Sequence, residues 1–383
     1  MPRRVNKVPS WSVMDQEYMA RAIRLARNGL YTTQPNPRVG CVLVNGDEIV
    51  GEGFHFRAGE GHAEVNALSM AGKKAQGATA YVTLEPCSHF GRTPPCAEGL
   101  IKAGVKRVVS AMVDPNPQVA GRGINMLQEA GITAESGLLE AEARALNPGF
   151  IKRMESGLPF VRLKMATSLD GRTAMASGES KWITGPAARS DVQKLRAQSS
   201  AVVTGIESIL KDDSALTVRA DQLELDNADE IVKQQPLRVV LDSGLRMPLK
   251  ASILSQPGRT LIVTVSEDAD KIAALKNAGA EVAIMPAQEG RVDLKVLLQM
   301  LAEQEQCNEL LIETGATLAG AFIQQELVDE IYLYMAMKLL GSEARPAFQL
   351  PFTKMAQQIK LQQTDMVMLK DDMRLILQPV YGE

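Results

Sequence analysis

The chain of 383 residues has little cysteine, few aromatic side chains and no long apolar run. Its cysteines number four, which is too few and too scattered for the disulfide framework of a small secreted domain. The N-terminal segment lacks the apolar core and the cleavage signal of a secretory peptide, and no apolar run is long enough to cross a bilayer. We therefore expect a cytoplasmic protein with reduced thiols and without a membrane partner.

Positive charge is not concentrated anywhere after the first ten positions, and the formal net charge is -3. Aromatic residues make up only 4% of the chain. Proteins that bind nucleic acids usually combine a basic stripe with aromatic side chains that stack on bases. These two absences argue against a nucleic-acid partner and favour a small-molecule ligand.

The chain is longer than the size at which one hydrophobic core usually keeps growing, so two domains are expected. Residues 1–13 show no periodic pattern and are predicted to be a disordered tail, and Met14 is an alternative translation start. Turn-forming residues accumulate towards residue 156, where we place the boundary between domains 14–156 and 157–383.

Strands and helices alternate in both domains, which predicts the α/β class. In the first domain an apolar face at helical spacing starts at Asp15, and two β-branched runs flank Asn45-Gly46, a strong hairpin signal. The other elements predicted in this domain are helices at 62–71, 123–130 and 141–150 and strands at 78–84 and 107–113. The second domain is predicted to contain strands at 160–165, 201–204, 237–241, 260–265, 309–313 and 330–335. Little readable signal is found at 221–235 and 345–383.

Two short motifs place histidine, glutamate and cysteine at predicted helix starts. GHAEVNAL contains His62 and Glu64, and EPCSHFGRTPPCAEGL contains Cys87 and Cys96. A catalytic zinc ion takes three protein ligands and keeps one position open for water, and one imidazole with two thiolates meets that count. Helix N-termini also favour the thiolate form of cysteine. We therefore predict a zinc site with His62, Cys87 and Cys96 as ligands.

Glu64 follows the histidine ligand by two positions and is predicted to carry protons rather than to bind the metal. Zinc lowers the pKa of its bound water to roughly 7, so hydroxide becomes available at neutral pH. The carboxylate would take the water proton and pass it to the departing amine, which leaves as ammonia. The predicted chemistry is hydrolytic deamination of an amidine-type ring carbon.

Simpler interpretations exist for each of these residues alone. A histidine at a helix start is often only a cap, and a lone buried cysteine usually belongs to the core. His89, in the loop between the two cysteine ligands, is a rival ligand, whereas Cys41 lies in an apolar strand and Cys307 has no ligand neighbours in sequence. The combination of HAE, a strand that ends on PC and a second cysteine at a helix start favours the zinc site.

The loop between Cys87 and Cys96 is longer than the PCxxC spacing that is usual in zinc deaminases. It contains His89, Arg92 and Thr93, and a guanidinium suits the oxygens of a phosphate. The longer loop therefore predicts a polar or phosphorylated substrate, and a solvated loop arginine is the simpler alternative.

The second half contains one candidate phosphate-binding turn. The predicted strand 309–313 runs directly into a turn with Gly315 and Gly320, and amides at a helix start bind anions. An ordinary strand-to-helix turn is the alternative. Phe322 stands where a P-loop needs lysine and serine or threonine, and no GxGxxG follows a first strand, so neither a P-loop nor a Rossmann site is predicted.

Longer segments carry a family resemblance. NPRVG, GEGFHFRAGEGHAEVNAL, YVTLEPCSHFGRTPPC and DPNPQVAGRG in the first half resemble the bifunctional riboflavin-biosynthesis deaminase/reductase family of bacteria. In the second half, KMATSLDGRTAMASGESKWITG, LRAQSSAVVTGIESILKDDSALTVR and LLIETGATLAGAF are similar to the reductase part of that family. The resemblance covers about residues 15–345, and motifs of this length do not arise by coincidence.

The resemblance implies a cytidine-deaminase-like three-layer domain followed by a dihydrofolate-reductase-like α/β domain. It also implies deamination of 2,5-diamino-6-ribosylamino-4(3H)-pyrimidinone 5′-phosphate, then NADPH-dependent reduction of the ribosyl chain to give 5-amino-6-ribitylaminouracil 5′-phosphate. The positions implied for the pyrimidine and phosphate pocket of the deaminase are Asn36, His55 and Arg92. Those implied for NADPH are Ala166, Trp182, Ser208, Asp212, Gly315, Ala316, Thr317, Leu318, Ala319, Gly320 and Ala321. Those implied for the phosphorylated sugar of the reductase substrate are Ser180, Arg196, Leu216, Arg219 and Glu313.

Two other functions are compatible with parts of the sequence. Deaminases that act on RNA or DNA carry the same zinc motif, but the acidic balance and the scarcity of aromatic residues disfavour them here. A binding protein that lost its chemistry is disfavoured in the first half because Glu64 and all three ligands are present. Arg196 and Arg219 suit a phosphate, yet surface arginines are usually only solvated, and no proton donor is assigned in the second half. A homodimer or higher homo-oligomer is a further expectation.

Overall fold

The computed structural model describes residues 11–88, 94–117 and 119–382 of the chain. They fall into two compact units, the first ending at Ser156 and the second beginning at Gly157. Within the described ranges, no helix is both long enough and apolar enough to span a bilayer.

The first unit alternates strands with helices. Its helices are α1 Val13–Ala26, α2 Ala63–Ala71, α3 Cys96–Lys102, α4 Arg122–Glu129, α5 Glu140–Leu146 and α6 Pro148–Ser156. Its strands are β1 Gly40–Asn45, β2 Glu48–Phe54, β3 Thr79–Val82, β4 Arg107–Ser110 and β5 Thr133–Ser136. The strands pair in the order β2-β1-β3-β4-β5, with β1 antiparallel to β2 and β3 and with β3, β4 and β5 parallel.

Both faces of this sheet are covered, because a strand directs successive side chains to opposite sides. In β1, Cys41 and Leu43 pack into a core that includes residues of α2, α3 and α4. Val42 and Val44 pack on the other side with residues of α1, α5 and α6. Two helical layers therefore enclose one sheet, which confirms the predicted three-layer architecture.

Helix α1 begins earlier than predicted, so the predicted disordered tail at 1–13 is wrong at its end. The Ser12 hydroxyl accepts from the backbone N–H of Asp15 at 3.0 Å, and the Asp15 carboxylate accepts from the Ser12 N–H at 2.9 Å, a capping box. The other oxygen of the buried Asp15 accepts from the Tyr81 hydroxyl at 2.7 Å, which ties this cap to the sheet. Residues 1–10 lie outside the described residues.

The single helix predicted at 141–150 is wrong, because the structure contains two helices there, α5 and α6. Pro148 has no N–H and its ring clashes with the preceding turn, so one helix cannot run through it. At the break, Asn147 Oδ1 accepts from the backbone N–H of Arg38 at 2.8 Å, and its Nδ2 donates to the Arg38 carbonyl at 2.9 Å. Asn147, at the break between α5 and α6, therefore binds the backbone of the segment that leads into β1.

The second unit is also built from alternating strands and helices. Its helices are α7 Pro186–Gln198, α8 Ile206–Asp212, α9 Ala228–Ile231, α10 Ser252–Ser255, α11 Ala269–Asn277, α12 Leu294–Glu303 and α13 Ala316–Gln324. Its strands are β6 Phe160–Ser168, β7 Arg172–Ala174, β8 Ala201–Gly205, β9 Leu237–Leu241, β10 Thr260–Thr264, β11 Glu281–Ile284, β12 Ala287–Gln288, β13 Arg291–Val292, β14 Glu309–Glu313, β15 Glu330–Ala336, β16 Arg345–Pro346, β17 Lys360–Leu369 and β18 Asp372–Val380.

The main sheet of this unit has the strand order β11-β10-β9-β8-β14-β6-β15-β18-β17 in the described chain. Neighbours from β11 to β15 are parallel, and the hairpin β17–β18 completes the sheet in the antiparallel sense. One face packs on α7 through Val192 and Leu195, and the other packs on α12 and α13 through Leu297 and Phe322. The predicted α/β class is confirmed. The hairpin β17–β18 was not predicted, because it lies in 345–383, where the sequence contains little readable signal.

Strands β8 and β14 are adjacent and parallel, so they end at neighbouring points of one sheet edge. Each runs into a helix whose N-cap is a glycine, Gly205 before α8 and Gly315 before α13. These two helices lie on opposite faces of the sheet, since Ile206 of α8 and Ala319 of α13 belong to different cores. Ligands of open α/β sheets bind at such points, outside the carboxyl ends of the strands.

Candidate active sites in the two units

The two metal-ligand motifs meet in the first unit. His62 is the N-cap of α2, Cys96 is the first residue of α3, and Cys87 lies between β3 and α3. The Nδ1 of His62 is 3.2 Å from Cys96 Sγ and 3.6 Å from Cys87 Sγ, and the three ligand atoms lie within 4.8 Å of one another. One imidazole nitrogen and two sulfurs are the donor set of a catalytic zinc site, which leaves a fourth position open. The residues present therefore fit a zinc ion.

Hydrogen bonds prepare the two sulfurs for a metal. A hydrogen bond from the Cys96 thiol lowers the pKa of Cys87 against the opposing effect of burial, and His62 adds to this shift. The backbone N–H of Cys96, at the start of α3, also donates to Cys87 Sγ at 3.3 Å. Cys96 keeps its proton in this arrangement, so its pKa is raised. Metal binding replaces that proton, because thiolates are the ligand form.

Glu64 stands beside the cluster without belonging to it. It lies in the first turn of α2 and is 4% exposed. Burial, with the Cys87 thiolate as the next cause, raises the pKa of the Glu64 carboxyl to about 7. A carboxyl group near neutrality both accepts and gives protons, and a bound cation would favour its carboxylate form. This environment suits the predicted proton carrier.

His55 and Asn36 form a pair next to the ligand His62. His55 Nδ1 lies 3.1 Å from the Gly61 carbonyl, and its Nε2 lies 3.0 Å from Asn36 Nδ2. Because a carbonyl only accepts, the hydrogen-bond network assigns the proton to Nδ1, and Nε2 accepts from the amide. Burial lowers the pKa of His55, which favours this neutral form. The rings of His55 and His62 are 5.3 Å apart, so the fold brings two implied pocket residues to the metal cluster.

Two further candidate residues of the first unit lie outside the described residues. Arg92, implied for the phosphate, and His89, the rival ligand, both fall in 89–93, outside the described residues. Cys41 is buried among apolar side chains, as predicted, and Cys307 is buried in the second unit.

Glu85, which was not among the residues predicted from the sequence, holds the cysteine turn in place. Glu85 is 3% exposed, and sequence reasoning gave it no role because nothing in its neighbourhood marks its partners. Its carboxylate oxygens accept from four backbone N–H groups at 2.8 to 3.2 Å, those of Asp114, Gly121, Gly123 and Ile124. A buried carboxylate needs such partners. Since Glu85 stands two residues before Cys87, these bonds fix the turn that carries a metal ligand.

We expect Gly123→Ala to weaken the metal site. A Cβ at this position would lie 2.0 Å from the Pro86 carbonyl oxygen and 3.2 Å from Glu85 Oε1, so the cysteine turn must move. The variant should bind zinc about tenfold more weakly in competition with a chelating dye, because the loss of partners around a metal ligand has effects of this size. Gly99→Ala is the matched control, since its Cβ would meet only Leu68 Cδ1 at 3.6 Å, an ordinary contact. Equal zinc affinities of the two variants would contradict this expectation.

The second unit contains a cavity of about 2460 Å³ where β8 and β14 end. Its lining includes Gly205 and Gly315 at the two helix starts and Glu313 at the end of β14. A drug-sized ligand occupies a pocket of about 300 to 1000 Å³. The cavity therefore has room for a large cofactor together with a second ligand.

Most residues implied for the reductase line this cavity. Of the cofactor positions, the lining contains Ala166, Trp182, Ser208, Asp212, Gly315, Ala316, Thr317, Leu318 and Ala321. Of the substrate positions, it contains Ser180, Arg196, Leu216, Arg219 and Glu313. Two implied cofactor residues point elsewhere: Ala319 is fully buried in the core, and a Cβ at Gly320 would lie 2.1 Å from the carbonyl oxygen of Gln349. Close packing explains why both residues are small.

A buried ion-pair cluster lines the cavity. Arg196 donates to both oxygens of Glu313, from Nε at 2.5 Å and from Nη2 at 3.0 Å, and Lys164 Nζ lies 3.9 Å from the same carboxylate. Burial lowers the pKa of Lys164. Burial alone would raise the pKa of Glu313, but the positive guanidinium of Arg196 outweighs this effect, so the pKa of Glu313 is lowered. Two residues implied for the sugar thus bind each other, and Lys164, which the sequence analysis did not select, joins them.

Trp182 is an exposed aromatic side chain at this cavity, with 65% of its surface accessible. The guanidinium of Arg189 lies over its ring, 4.5 Å from the ring centroid. The ammonium of Lys338 donates to the carbonyls of Trp182 and Ile183 at 3.3 and 2.8 Å. The indole is therefore held as a surface on which a flat ring can stack.

Comparisons with known proteins assign both units. Residues 12–112 match the cytidine and deoxycytidylate deaminase zinc-binding region, and residues 159–375 match the RibD C-terminal domain. The riboflavin biosynthesis protein RibD of Escherichia coli (strain K12) is 54% identical over 342 residues, which cover 88% of this chain and 92% of that protein. The RibD of Haemophilus influenzae is 50% identical over 379 residues, which cover 96% and 98% of the two chains.

Solved structures agree with these matches. Acinetobacter baumannii RibD is 52% identical, with a TM-score of 0.89 and coverage of 96% of this chain and 99% of that chain. A crystal structure from Thermotoga maritima has 32% identity, a TM-score of 0.83 and the same coverage of 96% and 99%. It is described as a diaminohydroxyphosphoribosylaminopyrimidine deaminase/5-amino-6-(5-phosphoribosylamino)uracil reductase.

Together, the fold, the three-ligand cluster and the matched domains define a two-domain enzyme that joins a zinc-binding type of deaminase domain to a reductase domain. Within that class the chain belongs to the RibD family, the bifunctional deaminase/reductase enzymes of riboflavin biosynthesis. The predicted family, fold class and bifunctional activity are thereby confirmed.

Proposed function

We propose that this enzyme first deaminates 2,5-diamino-6-ribosylamino-4(3H)-pyrimidinone 5′-phosphate and then reduces the ribosyl chain of the product with NADPH. The final product is 5-amino-6-ribitylaminouracil 5′-phosphate. The observation that carries the proposal is the convergence of His62, Cys87 and Cys96 beside the buried carboxylate of Glu64. The description of the Thermotoga maritima relative supports the same pair of reactions.

In the deaminase unit, His62 Nδ1, Cys87 Sγ and Cys96 Sγ would hold zinc. When bound, zinc supplies an activated water at neutral pH. The carboxylate of Glu64 would accept the proton of the attacking water and deliver it to the leaving amine. Deamination therefore consumes one water, replaces the bond between a ring carbon and its exocyclic amino group with a carbonyl and releases ammonia.

Asn36 and His55 orient the pyrimidine in this proposal. Because the Asn36 amide donates to His55 Nε2, the carbonyl oxygen of Asn36 is the atom directed to an N–H group on the ring edge. Arg92 is assigned to the 5′-phosphate from the family resemblance and from the fit between guanidinium and phosphate.

In the reductase unit, the turns that follow β8 and β14 would hold NADPH, and the amides at the start of α13 suit its pyrophosphate. When bound, the cofactor would supply the hydride that reduces C1′ of the sugar, while the C1′–O4′ bond opens and O4′ takes up a proton. Arg196, Arg219 and Glu313 are assigned to the phosphorylated sugar. We assign the accompanying proton to Lys164, because it is a buried amine with a lowered pKa at the cavity wall.

The type of partner, the cellular location and the oligomeric state are also part of the proposal. A small phosphorylated pyrimidine is the partner that the cavity and the metal cluster suit. Scarce cysteine and the absence of a basic stripe favour a cytoplasmic enzyme without a nucleic-acid partner. A homodimer or higher homo-oligomer stays a prediction.

The proposal is tested by following ammonia release and NADPH oxidation together, with purified, zinc-loaded protein and the diaminopyrimidinone ribosylamine phosphate. Both signals are expected in equal stoichiometry. Ammonia release without NADPH oxidation would contradict the assignment of the second unit. Oxidation of NADPH before any ammonia appears would contradict the proposed order.

Removal of zinc should separate the two activities. We expect a chelator to abolish ammonia release and to leave NADPH oxidation unchanged when the deaminated intermediate is supplied. The reason is that the metal-ligand cluster found among the described residues lies in the first unit, whereas the residues that line the reductase cavity lie in the second. Added zinc should restore ammonia release, and loss of both activities on chelation would count against this assignment.

A further inference from the structure

Helix α7 contributes to the reductase cavity at both of its ends. It carries Arg189, whose guanidinium lies over the Trp182 ring, and Arg196, which pairs with Glu313. Its N-cap is Gly185, three residues after Trp182. The position of this helix therefore determines where two cationic side chains and the exposed indole stand in the cavity.

The C-terminal hairpin β17–β18 binds the N-terminal half of this helix. The backbone N–H of Gly185 donates to Oδ2 of Asp372 at 2.6 Å. Further along the helix, the Asp191 carboxylate accepts from Nη1 of Arg374 at 2.9 Å and from the Tyr334 hydroxyl at 2.7 Å. Asp372 and Arg374 stand two positions apart in β18, so both face the side of the sheet that α7 covers.

The contact with Asp372 stabilises the N-terminus of α7. Gly185, the N-cap residue, has no side chain that could accept a hydrogen bond from the helix. Its own N–H, one of the four that lack a partner within a helix, donates to the buried carboxylate of Asp372. A negative charge at a helix N-terminus is also favoured by the helix dipole. In the described part of the chain, neither Asp372 nor Arg374 is among the residues that line the cavity. Their side-chain contacts with Gly185 and Asp191 connect them to the cavity through α7.

We propose that Asp372 and Arg374 are positioning residues of the reductase. They hold α7 and the segment before it, so that Trp182 and Arg196 stand where cofactor and sugar bind. The inference rests on the proposed reduction by NADPH in this cavity. It gives a role to a C-terminal hairpin whose sequence contains no motif.

The test uses Asp372→Ala in a Trp11→Phe background. The chain has two tryptophans, so Trp182 is then the sole donor for energy transfer to bound NADPH. We expect the KM for NADPH to rise about fivefold to tenfold, the fold-change that corresponds to the loss of a helix cap. Energy transfer from Trp182 at a fixed NADPH concentration should fall. Ammonia release should change by less than about twofold, because the deaminase residues belong to the other compact unit.

Two variants complete the experiment. Asp371→Ala, the same substitution at an exposed neighbour in the hairpin turn, should leave KM and energy transfer unchanged. Asp372→Asn keeps an acceptor oxygen and should recover most of the affinity for NADPH. An unchanged KM and an unchanged signal in Asp372→Ala would overturn the inference, and so would an equal loss of ammonia release, which marks general destabilisation. If the unsubstituted enzyme failed to oxidise NADPH, the proposed function itself would be refuted.

Discussion

Glu64→Gln should lower the rate of ammonia release by about a thousandfold while the zinc content stays the same. Glutamine has the size of glutamate and fits the same buried place, but it neither takes up nor delivers a proton. Zinc is expected to remain, because Glu64 is not one of the three converging ligand residues. Single-turnover ammonia release and metal analysis of the purified variant measure the two parts of this prediction.

The control for this variant is Glu98→Gln. Glu98 also lies in the first turn of a helix, α3, but its carboxylate pairs with the exposed ammonium of Lys102. Such surface pairs contribute little, so ammonia release should stay close to normal. Normal ammonia release by zinc-loaded Glu64→Gln would show that another group carries the proton, and the assignment of Glu64 would fall.

Arg196→Met should impair both the stability and the activity of the second unit. The substitution leaves the buried carboxylate of Glu313 without its bidentate partner, and only Lys164 stays near it, at 3.9 Å. Breaking a buried ion pair from one side costs about 3–5 kcal/mol of unfolding free energy. We therefore expect this unit to unfold at a lower denaturant concentration. The rate of NADPH oxidation should fall about a hundredfold, whereas the rate of ammonia release should stay unchanged.

A double variant separates the two effects. Arg196→Met with Glu313→Leu removes the whole pair, so stability should largely return, because apolar side chains replace buried pairs well. NADPH oxidation should stay low if the pair binds the sugar. Arg219→Met is the matched single control, since Arg219 is exposed and its loss should raise the KM for the substrate without a change in stability. Recovery of activity in the double variant would show that the pair is only structural.

The candidate metal ligands could be predicted because their signals are local. His62 and Glu64 stand at one helix start, and Cys87 and Cys96 are separated by one loop, so the chemistry of each motif can be recognised within a few residues. The turn at Asn45-Gly46 and the β-branched runs on either side of it were local signals of the same kind. The predicted helix at 141–150 failed because its apolar periodicity continued across Pro148, whose missing N–H breaks the helix.

The other features depend on residues far apart in the chain. Arg196 and Glu313 are separated by 117 positions, and no spacing rule says that two residues implied for one sugar would bind each other. Glu85 accepts from N–H groups 29 to 39 positions away, and those partners are backbone atoms that any residue could supply. Ala319 and Gly320 belong to a ligand-binding motif in sequence, yet their side of the helix packs on the core.

By itself, the sequence determined the α/β class, the family and the three candidate metal ligands, because these follow from periodicity and from motifs that are continuous in the chain. Only the tertiary structure decided which atoms complete each site. Glu85 satisfies a buried carboxylate with distant amides, and Asp372 caps a helix 187 positions away. Such contacts arise because folding leaves buried polar groups that must find partners, and the partner is set by what lies near in space rather than in sequence.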